Sequence, residues 1–342
     1  MLDNGLVFVL GAGFSAELGL PLGWRLKQAI ADIIPSRKGG GNEHVSWAFL
    51  QDRDVEVAMN ASEQLRRALP LAASIDNLVE HLSSNKDVVS CAKIGIAATI
   101  LQSERQSTIF GPAGSGLSVA SHNTAFADLF RLIVGSVPLN RMDYAFSRLK
   151  VINFNYDRCL EQFMTRAVMD YSGTDLRRAQ EIVSQATILH PYGSLGPLTS
   201  KADFGQKLDW IDIKAVSENI RTFSEEIGSK EHTDIKSLAS SASRLVFMGC
   251  AYHRQNLDLI RPDTNTLSRV DGTMYSPLPV DPDGHATMSM SAFNEPAISE
   301  LVSKISDWPR GASLVRMNTR QFRIEALSNR QLIARHGTEW VQ

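Results

Sequence analysis

Apolar residues follow two rhythms along this chain. Leu6 to Leu10 is an unbroken apolar run that stops at Gly11, the pattern of a strand buried on both faces in a parallel sheet. Val151 and Ile152 before Asn153, Ile188 and Leu189 before His190, and Arg244 to Met248 before Gly249 repeat it. Between these runs the period lengthens. Leu26, Ala29, Ile30, Ile33 and Ile34 share one helical face, and Pro35 ends that helix. Ile75, Leu78, Val79 and Leu82 mark a second helix, with Ser74 or Asp76 near its start; Leu160, Phe163, Met164 and Ala167 mark another. KIGIAATIL, from Lys93, reads as helix, with enough β-branched residues to leave a strand open. The alternation predicts an α/β fold: a parallel sheet with helices on both faces and a large helical insertion.

The chain has 342 residues, enough for two units of about 150 residues or for one large domain with an insertion. SRKGGG, from Ser36, reads as a flexible link. Residues 36–150 are then the helical insertion, and 1–35 with 151–270 the sheet-bearing core. From Asp271 the pattern becomes irregular, with Pro277, Pro279, Pro282 and Gly284 close together. Residues 271–342 are expected to form a mixed segment packed on the core.

Charge and cysteine content narrow the function classes. Lysine and arginine number 35 against 37 acidic residues, a net charge of −2, which gives no electrostatic reason to expect direct nucleic-acid binding or an anionic membrane. Cys91, Cys159 and Cys250 form no C-x-x-C pair, so no thiolate zinc site, and no metal, is expected. No uncharged apolar stretch reaches the ~18 residues of a membrane span, and the start lacks the basic region of a signal peptide. A cytoplasmic protein is the expectation.

The chemistry-bearing residues follow the strands, where ligands of open α/β sheets collect. Gly11-Ala12-Gly13-Phe14-Ser15-Ala16 fits G-x-G-x-x-G/A after a strand. The first glycine permits a tight turn, the second lets backbone N–H groups approach a pyrophosphate, and Ser15 adds a hydroxyl or caps the helix. The acidic ribose ligand expected ~20 residues on is missing, because Asp32 sits late in a helix; this argues against an ordinary nicotinamide dehydrogenase. Gly19-Leu20-Pro21-Leu22-Gly23 ends the first helix after about a turn, as a C-terminal glycine followed by a proline or as a mobile lid over the cofactor. Asn155 is placed to orient a ribose hydroxyl or a water, or is a turn residue. Asp157 is a ligand residue or a helix N-cap. His190 stands at a strand end, where an imidazole is suited to proton transfer. Gly249 would let backbone approach an adenine or ribose, or serves another strand–helix turn.

In this order GAGFSAELGLP, NFNYDRCLE, the histidine of LHPYGSLG and VFMGCAYHRQN resemble the SIR2-like family. The VDGTM segment at Val270 belongs with them, and together they bracket residues 6 to 275. The resemblance implies a Rossmann-like NAD-binding core and chemistry at the nicotinamide–ribose bond. By matching position, Gly11, Ala12, Gly13 and Ser15 would form the phosphate loop, Asn155 and Asp157 the N-x-D element near the nicotinamide ribose, His190 the catalytic histidine, and Gly249 the late cofactor loop. Leu22-Gly23-Trp24 replaces the Asp-Phe-Arg of sirtuin deacylases, paired zinc cysteines are missing, and Pro191 and Tyr192 follow the histidine where sirtuins carry glycine. The chain therefore looks closer to the bacterial SIR2-like NAD hydrolases of antiphage defence than to NAD-dependent protein deacylases. That likeness implies NAD⁺ as substrate without a metal, a homo-oligomer, and a gate such as an ATPase partner. A non-hydrolytic NAD or ADP-ribose-binding module, or a subunit of a defence complex, is the alternative.

Overall fold

The apolar run Leu6–Leu10 forms strand β1, every residue of it buried. It is the centre of a six-stranded sheet in the computed structural model, with β2 (Lys150–Asn153), β3 (Thr187–Leu189), β4 (Arg244–Met248), β5 (Arg269–Thr273) and β6 (Phe322–Glu325) in the order β3-β2-β1-β4-β5-β6. The structure describes residues 1–273, 322–325 and 329–341, apart from 113, 136, 199–202, 211, 227–229 and 264–265; of residues 210, 224, 226 and 322–325 it describes the backbone only. Every strand pair is parallel, with Phe8 opposite Val151 on one side and Val246 on the other. This is the Rossmann-like order. The chain leaves β1 toward β2 and β3, then returns to β4, so the direction of winding reverses between β1 and β4.

Helices cover both faces. Before β2 come α1 (Ala12–Ser15), α2 (Gly23–Ile33), α3 (Glu43–Leu50), α4 (Val55–Ala68), α5 (Ile75–His81), α6 (Lys86–Gln106), α7 (Ala125–Val134) and α8 (Met142–Phe146). After it come α9 (Cys159–Ser172), α10 (Leu176–Val183), α11 (Ile213–Ser217), α12 (Phe223–Glu226), α13 (Lys230–Ser241), α14 (Arg254–Leu259) and α15 (Asn329–His336). Side chains alternate across a strand, and β1 shows the consequence. Val7 and Val9 join one core with Ile30, Phe49, Leu65, Val88 and Ile96 of α2, α3, α4 and α6. Leu6, Phe8 and Leu10 join the other with Phe126, Phe146, Phe163 and Leu332 of α7, α8, α9 and α15.

Residues 36–150 therefore supply helices to both layers. KIGIAATIL is helical, within α6, and Ile94 through Leu101 are all buried there. A helix buried nearly all round carries apolar residues on every side, and its β-branched ones are what left a strand open. The boundary drawn at residue 270 falls inside β5, and β6 extends the sheet from within 271–342. The Pro277–Gly284 cluster lies outside the described residues. Among the described residues no helix is long and apolar enough to cross a membrane.

Candidate active site

The loops after β1, β2 and β4 and the end of β5 meet at one end of the sheet around a cavity of about 550 Å³, a size ordinary for a small-molecule site. It lies where the winding reverses, the place at which open α/β sheets bind ligands. Gly11, Ala12, Gly13 and Ser15 line it from the β1 turn; Asn155, Tyr156 and Asp157 from the β2 loop; Gly249, Cys250 and His253 from the β4 loop; and Asn256 from the start of α14.

The glycines hold these loops together. Gly11 N donates to Met248 O (3.0 Å) and Gly13 N to Gly249 O (2.9 Å). A Cβ on Gly13 would lie 2.9 Å from Gly249 Cα. Gly249 has φ +67°, and a Cβ there would lie 2.1 Å from Phe14 N, so only glycine fits. Two amides expected to face a pyrophosphate are thus engaged with the β4 loop. The better anion donor is α2, which opens at the cavity without a side-chain cap. Its first-turn N–H groups and the positive end of its dipole favour negative charge. Gly19, at φ 96°, ends the 3-10 turn Ala16–Leu18 that follows α1, and Trp24, 58% exposed, stands at the mouth.

Asn155, Ser15 and Asp157 form one hydrogen-bonded chain on the wall. Asn155 Nδ2 donates to Gly11 O (3.1 Å) and Ser15 Oγ (3.0 Å), and Ser15 Oγ donates to Asp157 Oδ1 (3.0 Å). All three residues are buried. Asp157 Oδ1 also accepts from Cys159 N (3.1 Å) at the start of α9, so the residue serves the helix end and the cavity together. Burial pushes its carboxyl up to about 6, and the nearby Glu104 charge adds to this against the bonds from Cys159 and Ser15. A carboxyl titrating there is matched to base chemistry near neutrality.

His190 sits elsewhere than expected. It lies behind the cavity wall and is not among the residues that line it. Its Nδ1 donates to Asn155 O (2.9 Å) and its Nε2 to Glu161 Oε1 (2.9 Å). Both partners are acceptors, so both nitrogens carry protons and the ring is an imidazolium. Burial opposes that charge, but the Glu161 carboxylate outweighs it and raises the His190 pKa; Glu161 is lowered in return, against its own burial. An imidazole held this way is a donor that braces the Asn155 backbone. It has no lone pair with which to act as a general base.

The cavity also presents groups that local sequence does not mark. Glu17 and Asp76 add carboxylates to that of Asp157, and no lysine or arginine is among the described residues that line it. Burial raises the carboxyls of Glu17 and Asp76. Tyr156 OH donates to Asp76 Oδ1, and Tyr192 OH to Asn256 Oδ1 (2.7 Å). Asp76 reads from sequence as a helix-start residue, yet the cap is Ser74, which accepts from Asn77 N (3.1 Å), leaving Asp76 for the cavity. Asn329 reaches the wall from α15; nothing in its local sequence signals this. Among the described residues no cluster of histidine, cysteine and acidic side chains could hold a metal ion.

No family model matches the chain, and neither a curated protein nor a solved structure matches it. Of the five segments singled out in the sequence, GAGFSAELGLP, NFNYDRCLE, VFMGCAYHRQN and VDGTM contribute residues to the cavity wall, and LHPYGSLG contributes none.

Proposed function

We propose that this protein binds NAD⁺ and hydrolyses its nicotinamide–ribose bond, as the resemblance to SIR2-like NAD hydrolases implies. The observation that carries the reading is the Asn155–Ser15–Asp157 chain in a cavity at the reversal point of a Rossmann-like sheet. A wall with carboxylates and without described cations suits the positively charged nicotinamide ring, while the start of α2 suits the pyrophosphate.

The reaction needs an activated water and a stabilised oxocarbenium-like ribose. Asp157 takes a proton from water as the water oxygen bonds to C1′. The C1′–N bond breaks with its electron pair passing to the ring, so nicotinamide leaves neutral and ADP-ribose remains. Asn155 fixes the water or the ribose hydroxyls. Asp157 replaces His190 as the base because it faces the cavity and titrates at about 6.

Asn155→Ala should remain folded and lose nicotinamide release by about 10²-fold, since it removes the group that orients the reactants. Release at the wild-type rate by that variant would remove Asn155 from the mechanism. A second reading, a non-hydrolytic NAD or ADP-ribose-binding module, is favoured by the engagement of both His190 nitrogens; calorimetric binding of NAD⁺ without nicotinamide release would establish it. Action as an antiphage effector, with activity gated by self-association or by an ATPase partner, belongs to the same proposal and follows from the resemblance.

A further inference from the structure

We propose that Asn329, the first residue of α15, is a positioning residue of the nucleotide cavity and makes the C-terminal segment part of that site. The inference rests on the NAD⁺ reading above. Asn329 is 6% exposed and forms part of the cavity wall. Its Nδ2 donates to Gly13 O (3.3 Å) and Glu17 Oε1 (3.0 Å), and its Oδ1 accepts from Thr273 Oγ1 (3.2 Å). Thr273 Oγ1 accepts in turn from Gly249 N (3.0 Å). The other oxygen of Glu17 accepts from Ala125 N (2.7 Å) at the start of α7. One amide therefore joins the β1 turn, the end of β5 and, through Thr273, the β4 loop.

A buried amide bonded at both ends is held in one orientation. What it holds is the short helix α1, whose Gly13 carbonyl it binds and whose Ser15 hydroxyl links Asn155 to Asp157. Displacement of Asn329 frees the turn to shift and carries Ser15 with it. Misplacement of about 1 Å in such a site is enough to matter. The anchor for Asn329 is α15 itself, whose Leu332 and Ile333 are buried in the core that holds Phe8 and Phe126. The wall on the glycine side is thus set by a segment far away in sequence, the bond from Asn329 to Gly13 spanning 316 positions.

Exchange of donor and acceptor tests this. Asn329→Asp keeps an oxygen for Thr273 but removes both donated bonds and sets a carboxylate against Glu17. Adding Glu17→Gln restores the bond with its direction reversed, while the oxygen of the introduced glutamine amide still accepts from Ala125 N. Amide hydrogen exchange of the ligand-free protein should be faster across residues 12–18 in Asn329→Asp and recover in part in the double variant, which regains the bond to residue 17 but not the one to Gly13 O. NAD⁺ affinity should fall about tenfold and recover to within about threefold, with the fold retained. Asn329→Ala carries the same expectations for exchange and affinity should the charged variant not fold. Unchanged exchange, or a double variant no better than the single, overturns the positioning role whatever the protein binds. Failure of the wild-type protein to bind NAD⁺ overturns the underlying reading instead, and leaves the exchange result to decide the role of Asn329 in the turn.

Discussion

Asp157→Asn protein will fold and bind NAD⁺, and will release nicotinamide about 10²–10⁴-fold more slowly than wild type. The substitution is nearly isosteric, and the amide oxygen it introduces can keep the bonds from Ser15 Oγ and Cys159 N. Only the proton acceptor is lost. The pH profile gives a second readout. Burial raises the Asp157 carboxyl to about 6, so below that pH it is protonated and cannot accept a proton. The wild-type rate should climb through about 6 and level off above it, and the step should vanish in the variant. The sign for stability is opposite. A carboxyl whose pKa is higher in the folded chain than the ordinary ~3.9 favours folding most at low pH, and that contribution falls as pH rises through about 6. Replacing Asp157 relieves a cost at neutral pH, so lost activity would not reflect unfolding. A full-rate Asp157→Asn protein would rule this carboxylate out as the base.

Glu104→Gln should lower unfolding stability by about 3–5 kcal/mol, the usual consequence of stranding a buried charge. Glu104 and Arg158 are both fully buried, with Nη2 to Oε2 at 2.7 Å. Glu104 also accepts from Arg158 N (3.0 Å), Arg158 Nε (3.1 Å) and Gly205 N (3.0 Å). Glutamine would leave the guanidinium without its counter-charge and aim an N–H₂ at donors. The pair ties α6 to the residue that follows Asp157, so the loop bearing Asp157 is fixed from below. Urea denaturation with a shared m-value measures the change. A loss under about 1 kcal/mol would show the pair to be no anchor.

How far the chain could be read in advance depended on the range of each interaction. β1 and its turn are plain in sequence because five buried residues and the first glycine are contiguous. The same is true of Asn155 and Asp157, which follow an apolar strand directly. Glycine identity was legible but its use was not. Gly11, Gly13 and Gly249 are required by the approach of two loops about 240 residues apart, a contact no local pattern encodes. His190 was conspicuous at a strand end, but its partner Glu161 lies 29 residues away on α9, and the pairing that makes it a donor depends on the tertiary fold. β6 is short and adds to the sheet only through β5, and α6, buried nearly all round, is rich enough in β-branched residues to have left a strand open. Asp76, Glu17 and Asn329 reach the cavity from helices whose own sequences explain them as ordinary helix-end residues.

Incubation of the purified wild-type chain with NAD⁺ at several protein concentrations, followed by chromatography of the products, decides whether this cavity cleaves the nicotinamide–ribose bond. Nicotinamide and ADP-ribose in equal amounts, rising with time, are the expected result. NAD⁺ recovered intact at every concentration, with no binding detected by calorimetry, would contradict that cleavage.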